Sequence, residues 1–140
     1  MSPKLFVATK AFIVNGGKVL LLREAGKYQD GTNIGRYDVV GGRLTPGEHF
    51  RDSLLREITE ETKLTVEVGR PFFVNEWRPV VREEEWQIVG IFFRCEANLT
   101  EVTLSEDHDA FEWIDPKDFA KYNIIPNLAP AFESFLSLSH

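Results

Sequence analysis

GRLTPGEHFRDSLLREITEETKL, residues 42–64, is the stretch on which both fold and chemistry turn. Pro46-Gly47 breaks the chain, and from Glu48 to Thr62 the apolar side chains Phe50, Leu54 and Ile58 recur every four residues, with Leu55 beside them. That spacing predicts an amphipathic helix over 48–62 with one face turned to a core. Glu57, Glu60 and Glu61 stand at i, i+3 and i+4, so at about 100° per residue three carboxylates share one patch beside the apolar stripe. Like charges so spaced destabilise a helix by a few tenths of a kcal/mol per pair, and a divalent cation would offset that. Oxygen-only donors suit a hard ion, and Mg²⁺ keeps several waters and shares its other positions with substrate phosphates. A phosphorylated substrate is the natural expectation. Arg56 stands ready to pair with one carboxylate and fix its rotamer, and Glu48 to reach the same ion from the loop side. A solvated acidic helix face would carry the same three glutamates, so the surrounding residues decide.

Upstream, Leu5 to Asn15 and Lys18 to Arg23 are apolar strand patterns joined by Asn15-Gly16-Gly17, which reads as a β-hairpin. Glu24 to Arg36 is a polar, glycine-bearing loop, and Tyr37 to Val40 a short strand running into Gly41-Gly42. Downstream, Thr65 to Val68, Phe72 to Trp77 and Trp86 to Ala97 read as strands, with Arg82 to Glu85 a charged connection, and Phe111 to Ile114 adds a short strand. Asp115 is placed as N-cap and Pro116 at the first position of a short helix ending near Tyr122, and Leu128 to Leu138 makes a terminal helix. Strands, helix, strands, helices in this order, without repeat or linker, predict one α+β domain over residues 1–140, an α/β/α sandwich around a mixed β-sheet.

The bulk properties agree. The 140 residues are 43% hydrophobic and 27% charged, with eleven Phe and three Trp, the make-up of one folded domain. A formal charge of -6 argues against polymeric nucleic acid, whose binding needs many Lys and Arg to displace counterions. A small anion is still held where a metal or a few cations reverse the local field. Cys95 is the only cysteine and sits in an apolar run, so it reads as a buried, inert thiol in a reducing cytoplasm. No apolar run approaches the roughly twenty residues that span a bilayer, so no membrane is expected.

Gly42, five residues, Glu48, seven residues, then Arg56-Glu57-Ile58-Thr59-Glu60-Glu61-Thr62-Lys63-Leu64 closely resembles the Nudix box, G-x5-E-x7-R-E-U-x-E-E-x-G-U with U aliphatic. Every position matches except the last glycine, here Lys63, and Val40 stands where relatives often carry proline. Lys63 falls where a glycine allows positive φ at the helix end, so Lys would have to accept left-handed geometry at roughly 1 kcal/mol. The resemblance covers nearly the whole chain and implies the same sandwich. It further implies Mg²⁺, with Mn²⁺ as a substitute, held by Glu57, Glu60 and Glu61 with Gly42 and Glu48 beside them, and Arg56 orienting a glutamate. Water attack on phosphorus would then split a nucleoside diphosphate linked to some moiety X.

Relatives take the general base from the box or from a later loop, which leaves Glu60, Glu61 and Glu106 as candidates. His108, in the same loop, reads as a surface or capping histidine. Arg23 and Arg43 are candidate phosphate contacts. The substrate readings are a nucleoside triphosphate, oxidised or not, cut to monophosphate and pyrophosphate as in the MutT branch, with Asn127 reading a purine edge; ADP-ribose or a nucleotide sugar, hinted at by Pro79 some fifteen residues past the box; and binding of nucleotide without turnover. Trp77 and Trp86 are candidates for stacking on a base, against the plainer role of packing. The sequence leaves monomer and homodimer equally open.

Overall fold

The computed structural model describes residues 2–26 and 34–138. Eight strands and two α-helices follow in order: β1 (Lys4–Asn15), β2 (Lys18–Glu24), β3 (Tyr37–Asp38), β4 (Val40–Arg43), α1 (Phe50–Thr62), β5 (Val66–Trp77), β6 (Val80–Val81), β7 (Glu84–Ala97), β8 (His108–Ile114) and α2 (Ala129–Ser137), with 3₁₀ turns at Pro116–Lys121 and Pro126–Leu128. The sheet runs β3-β2-β1-β7-β5, with β8 paired to β2, β4 to β1 and β6 to β7. β1 and β7 are parallel and the other pairs antiparallel, so the sheet is mixed.

Period-two alternation sorts the central strands onto two faces. Phe12 and Val14 of β1, Val19 and Leu21 of β2 and Phe92 of β7 pack with Leu128, Phe132 and Phe135 around α2. Their neighbours Ala11, Ile13, Leu20, Leu22, Phe93 and Cys95 pack with Leu54 and Ile58 of α1. This is the α/β/α sandwich expected from the sequence. Burial pushes the Cys95 thiol up to about 12, which makes it inert at neutral pH.

The first hairpin closes through Gly16 and Gly17 at φ 57° and 78°, and Asp115 caps the Pro116 turn by accepting from the Lys117 N–H at 3.0 Å. Other boundaries moved. The helix starts at Phe50, because the His49 side chain accepts from the Arg51 N–H and caps it. The two strands expected over 65–68 and 72–77 are one strand with irregular pairing around Pro71, whose ring supplies no ladder donor. Tyr37 to Val40 divides between β3, paired to β2, and β4, paired to β1. The expected Arg82–Glu85 connection shrinks to a tight turn at Arg82 and Glu83, which take φ 51° and 65°, with Glu84 and Glu85 already in β7, and the terminal helix opens with the 3₁₀ turn before α2. The expected loop over 24–36 lies partly outside the described residues. No helix among the described residues is long and apolar enough to cross a membrane.

Candidate active site

Residue spacing on α1 places the acidic patch, and the strand before it fixes the distance. β4 pairs with β1, Thr9 opposite Gly42 and Lys10 opposite Gly41. A Cβ on Gly41 would stand 2.1 Å from the Thr9 carbonyl oxygen, and φ is 151°, so only glycine lets β4 lie this close to β1. At Gly42 the neighbour is different: a Cβ would meet the Glu57 carboxylate at 2.9–3.2 Å. The missing side chain therefore makes the recess in which Glu57 lies.

Arg56 organises the other carboxylates. Its guanidinium donates twice to Glu48, from Nε and Nη2 at 3.1 Å each, and Nη1 reaches Glu57 and Glu60 at 3.4 Å. The fork of the guanidinium matches Glu48 bidentately, which draws Glu48 below the usual carboxylate range and raises Arg56. Lys63 ends the helix at φ 62°, ψ 13°, its N–H donating to the Thr59 carbonyl. The left-handed geometry left by the absent box glycine is thus kept, with lysine in it.

Glu61 faces the other way, into a cavity of about 200 Å³ lined by Leu22, Glu24, Asp38, Glu61, Asp107 and His108. Burial, followed by the nearby Glu57 charge and a hydrogen bond to Glu57, pushes the Glu61 carboxyl up to about 8. Burial also raises Glu24 and lowers His108, whose Nδ1 is shielded from solvent and has no hydrogen-bond partner among the described residues. Lys10, 8% exposed, donates to Asp38 Oδ2 at 2.7 Å, while Asp38 Oδ1 accepts from the Val39 N–H at 2.7 Å. A turn supplies the far wall, held to the end of β2 by the Ala25 N–H donating to the Asp107 carbonyl at 2.9 Å.

The structure thus joins Gly42, Glu48, Arg56, Glu57 and Glu60 in one cluster, with Glu61 reaching from it into the cavity. Glu106 is exposed and does not line the cavity; its neighbours Asp107 and His108 do. Sequence reading took His108 for a surface or capping histidine, which its half-buried place in the cavity wall corrects, and it missed Asp107, Lys10, Glu24 and Asp38. The only available signal was a charged Lys10 inside an apolar strand. Arg23 donates to Asp109 at 2.7 Å. Arg43 lies over Phe6 and Trp86, 4.4 and 4.8 Å from the ring centroids. Asn127 is half-buried beside β5, its backbone oxygen accepting from Asn75 Nδ2 at 3.0 Å.

No ready-made group of three or more His, Cys, Asp or Glu side chains in metal-ligand geometry occurs among the described residues, and Arg56 is ion-paired with Glu48, Glu57 and Glu60. The donor chemistry nevertheless fits a hard divalent cation. Glu57 and Glu61 are two oxygen donors pressed together, the Glu61 carboxyl raised first by burial and then by the Glu57 charge, and Glu60 stands exposed beside them.

A family model described as NUDIX domain matches residues 4–135. Among curated relatives, the nucleoside triphosphatase NudI of Escherichia fergusonii is 32% identical over 119 residues, 80% of this chain and 83% of that protein. The CTP pyrophosphohydrolase of Escherichia coli is 24% identical over 135 residues, covering 96% and 94%. Among solved structures, the MutT protein of Methanosarcina mazei superposes with a TM-score of 0.86 at 25% identity, over 96% of this chain and 95% of that one.

Proposed function

The chain belongs to the Nudix family of pyrophosphohydrolases, hydrolases acting on acid anhydrides, and on that premise we propose that it cuts a nucleoside triphosphate to the monophosphate and pyrophosphate in an Mg²⁺-dependent reaction. The observation that carries this reading is the Glu57 carboxylate seated on Gly42 with Glu61 beside it at the mouth of the cavity. The names of two relatives, a nucleoside triphosphatase and a CTP pyrophosphohydrolase, favour a triphosphate. ADP-ribose rests only on Pro79, whose carbonyl accepts from the Trp86 N–H in the hairpin bend and so has a structural occupation.

Glu57, Glu60 and Glu61 would hold the metal, with the Gly42 strand and Glu48 as its outer wall. When bound, the ion neutralises phosphate oxygens and acidifies water. Arg56 keeps the glutamates oriented. A water oxygen attacks phosphorus, its proton passes to a carboxylate facing the cavity, Glu61 or Asp107, and pyrophosphate leaves. Glu106 does not line the cavity and so is not first choice for that proton. Arg43, stacked on its flat face, keeps its N–H edge for phosphate, whereas Arg23 would share its guanidinium with Asp109. Asn127, half-buried beside β5, would contact the base. The acidic surface and the inert Cys95 support a cytoplasmic enzyme that acts on small molecules.

The test is a panel of nucleoside triphosphates, 8-oxo-dGTP, ADP-ribose and nucleotide sugars with Mg²⁺, products separated by chromatography, and EDTA as control. Turnover of triphosphates to monophosphate and pyrophosphate, abolished by EDTA, is expected. Preference for ADP-ribose would overturn the substrate; turnover indifferent to EDTA would overturn the metal.

A further inference from the structure

Trp77 ends β5 on the face of the sheet that carries α2. Its position depends on a glycine in the next strand: a Cβ on Gly90 would lie 2.4 and 2.6 Å from Cη2 and Cζ3 of the indole. Tryptophan is large and stiff and cannot yield at that distance, so Gly90 lets the ring lie on the backbone of β7. Trp77 is only half-buried, and among the described residues no aromatic ring or cation stacks on it. Trp86 contrasts with it. That ring is held by Phe6 edge-on at 4.8 Å and by Arg43, and its Nε1 donates to Glu84.

The surroundings of Trp77 are polar on one side. Asn75, opposite Gly90 in the β5–β7 ladder, donates to the backbone oxygen of Asn127. The Asn127 side-chain Oδ1 is shielded from solvent and has no hydrogen-bond partner among the described residues. The flat, half-exposed ring suits an aromatic heterocycle.

The place in the sheet also fits. Arg43 pairs with Ala8 and Ala8 with Gly90, so the Trp77 floor stands two strand spacings, about 10 Å, from the Gly42 segment. That is the reach of a nucleoside triphosphate between its base and its outer phosphates. The two faces communicate at the fork where β4 and β2 leave β1: Lys10, in phase with Phe12 on the α2 face, bonds Asp38 in the Glu61 cavity.

We propose that the Trp77 indole, bedded on Gly90, is the platform on which the nucleobase of the substrate stacks. This rests on the nucleotide reading above and adds a specificity-determining residue to it. The experiment compares the wild type with Trp77→Phe, Trp77→Leu and Gly90→Ala on a nucleoside triphosphate and on ribose 5-triphosphate, which has no base. Trp77→Leu keeps apolar bulk and loses the ring, so KM for the nucleotide should rise about tenfold with kcat little changed. Trp77→Phe should keep most of the affinity, and Gly90→Ala, which pushes the ring off its bed, should behave like Trp77→Leu. KM for ribose 5-triphosphate should be the same in all four proteins. An unchanged nucleotide KM in Trp77→Leu, or an equal rise for the base-less substrate, would overturn the platform while leaving the nucleotide reading intact. Absence of nucleotide turnover in the wild type would remove that reading itself, and this one with it.

Discussion

Gly41 and Gly42 are adjacent and both lack a side chain for steric reasons, yet replacing each with alanine should produce opposite failures. At Gly41 the added methyl would sit 2.1 Å from the Thr9 carbonyl oxygen and 2.9 Å from Lys10 Cα, with φ at 151°. Both obstacles are main chain in a paired strand, so β4 would have to leave β1. Clash and strain together are worth roughly 4 kcal/mol or more, against about 5–15 kcal/mol for the whole domain. At Gly42 every close atom belongs to the Glu57 carboxylate, at 2.9–3.2 Å, the far end of a flexible side chain that gives way by a few tenths of an ångström. Folding should then change by no more than about 1 kcal/mol. The displaced carboxylate is a metal ligand of the proposed site, and misplacement on that scale costs roughly ten- to hundredfold in turnover. Urea unfolding followed by tryptophan fluorescence, with hydrolysis over a Mg²⁺ titration, separates the two. Gly41→Ala should unfold at much lower urea, whereas Gly42→Ala should unfold normally and need more Mg²⁺ for less turnover. A folded Gly42→Ala with wild-type rate and metal dependence would refute the seating of Glu57 on Gly42 as part of the site.

Glu60→Gln and Glu61→Gln should each lower turnover by orders of magnitude while the protein stays folded, since a ligand is lost and helix repulsion relieved; near-normal rates in both would remove the metal assignment. Lys63→Gly should raise stability by about 1 kcal/mol in urea titrations, because the position is left-handed at φ 62° and lysine pays for it there; equal midpoints would mean that the lysine makes compensating contacts. The metal-free protein should lose stability as pH rises from about 4.5 to about 8. Glu61 is raised in the folded state to about 8, so the folded form holds its proton more tightly, the penalty being absent below the unfolded value and complete above the folded one. At 1.36 kcal/mol per pK unit the effect is at most about 5 kcal/mol; Glu61→Gln should flatten the profile, and an unaltered pH slope would count against the buried carboxyl.

Local sequence carried most of the fold. A four-residue apolar period announced α1, Asn15-Gly16-Gly17 the first hairpin, and Asp115-Pro116 the capped turn, because each is decided by residues a few positions apart. The division of Tyr37 to Val40 between two strands is set by partners far along the chain, Leu22 and Arg23 on one side and Ala8 to Ala11 on the other, and no local pattern records it. The site divided the same way. The box cluster was legible because one helix and one turn carry it. Glu24, Asp38, Asp107 and His108 were not, because they come from three separated segments that meet only when β8 pairs with β2.

The fork in the sheet explains why these groups meet at all. β1 pairs with β2 only at Val14 and Asn15 and with β4 from Ala8 to Ala11, so one edge changes partner midway. Where the partner changes, a polar gap opens in an otherwise apolar sheet, and a nearly buried Lys10 is tolerable there because Asp38 answers it at 2.7 Å. A charge so placed is a poor way to stabilise a core, since desolvation consumes much of the Coulomb gain. Its position beside Glu61 gives it another use: Lys10 is a fixed cation next to a cavity walled by Glu24, Asp38, Glu61 and Asp107. Its charge partly offsets the burial and the neighbouring carboxylates that raise Glu24 and Glu61. The architecture that makes room for the glycine pair therefore also supplies the countercharge that lets an acidic cavity exist beside it.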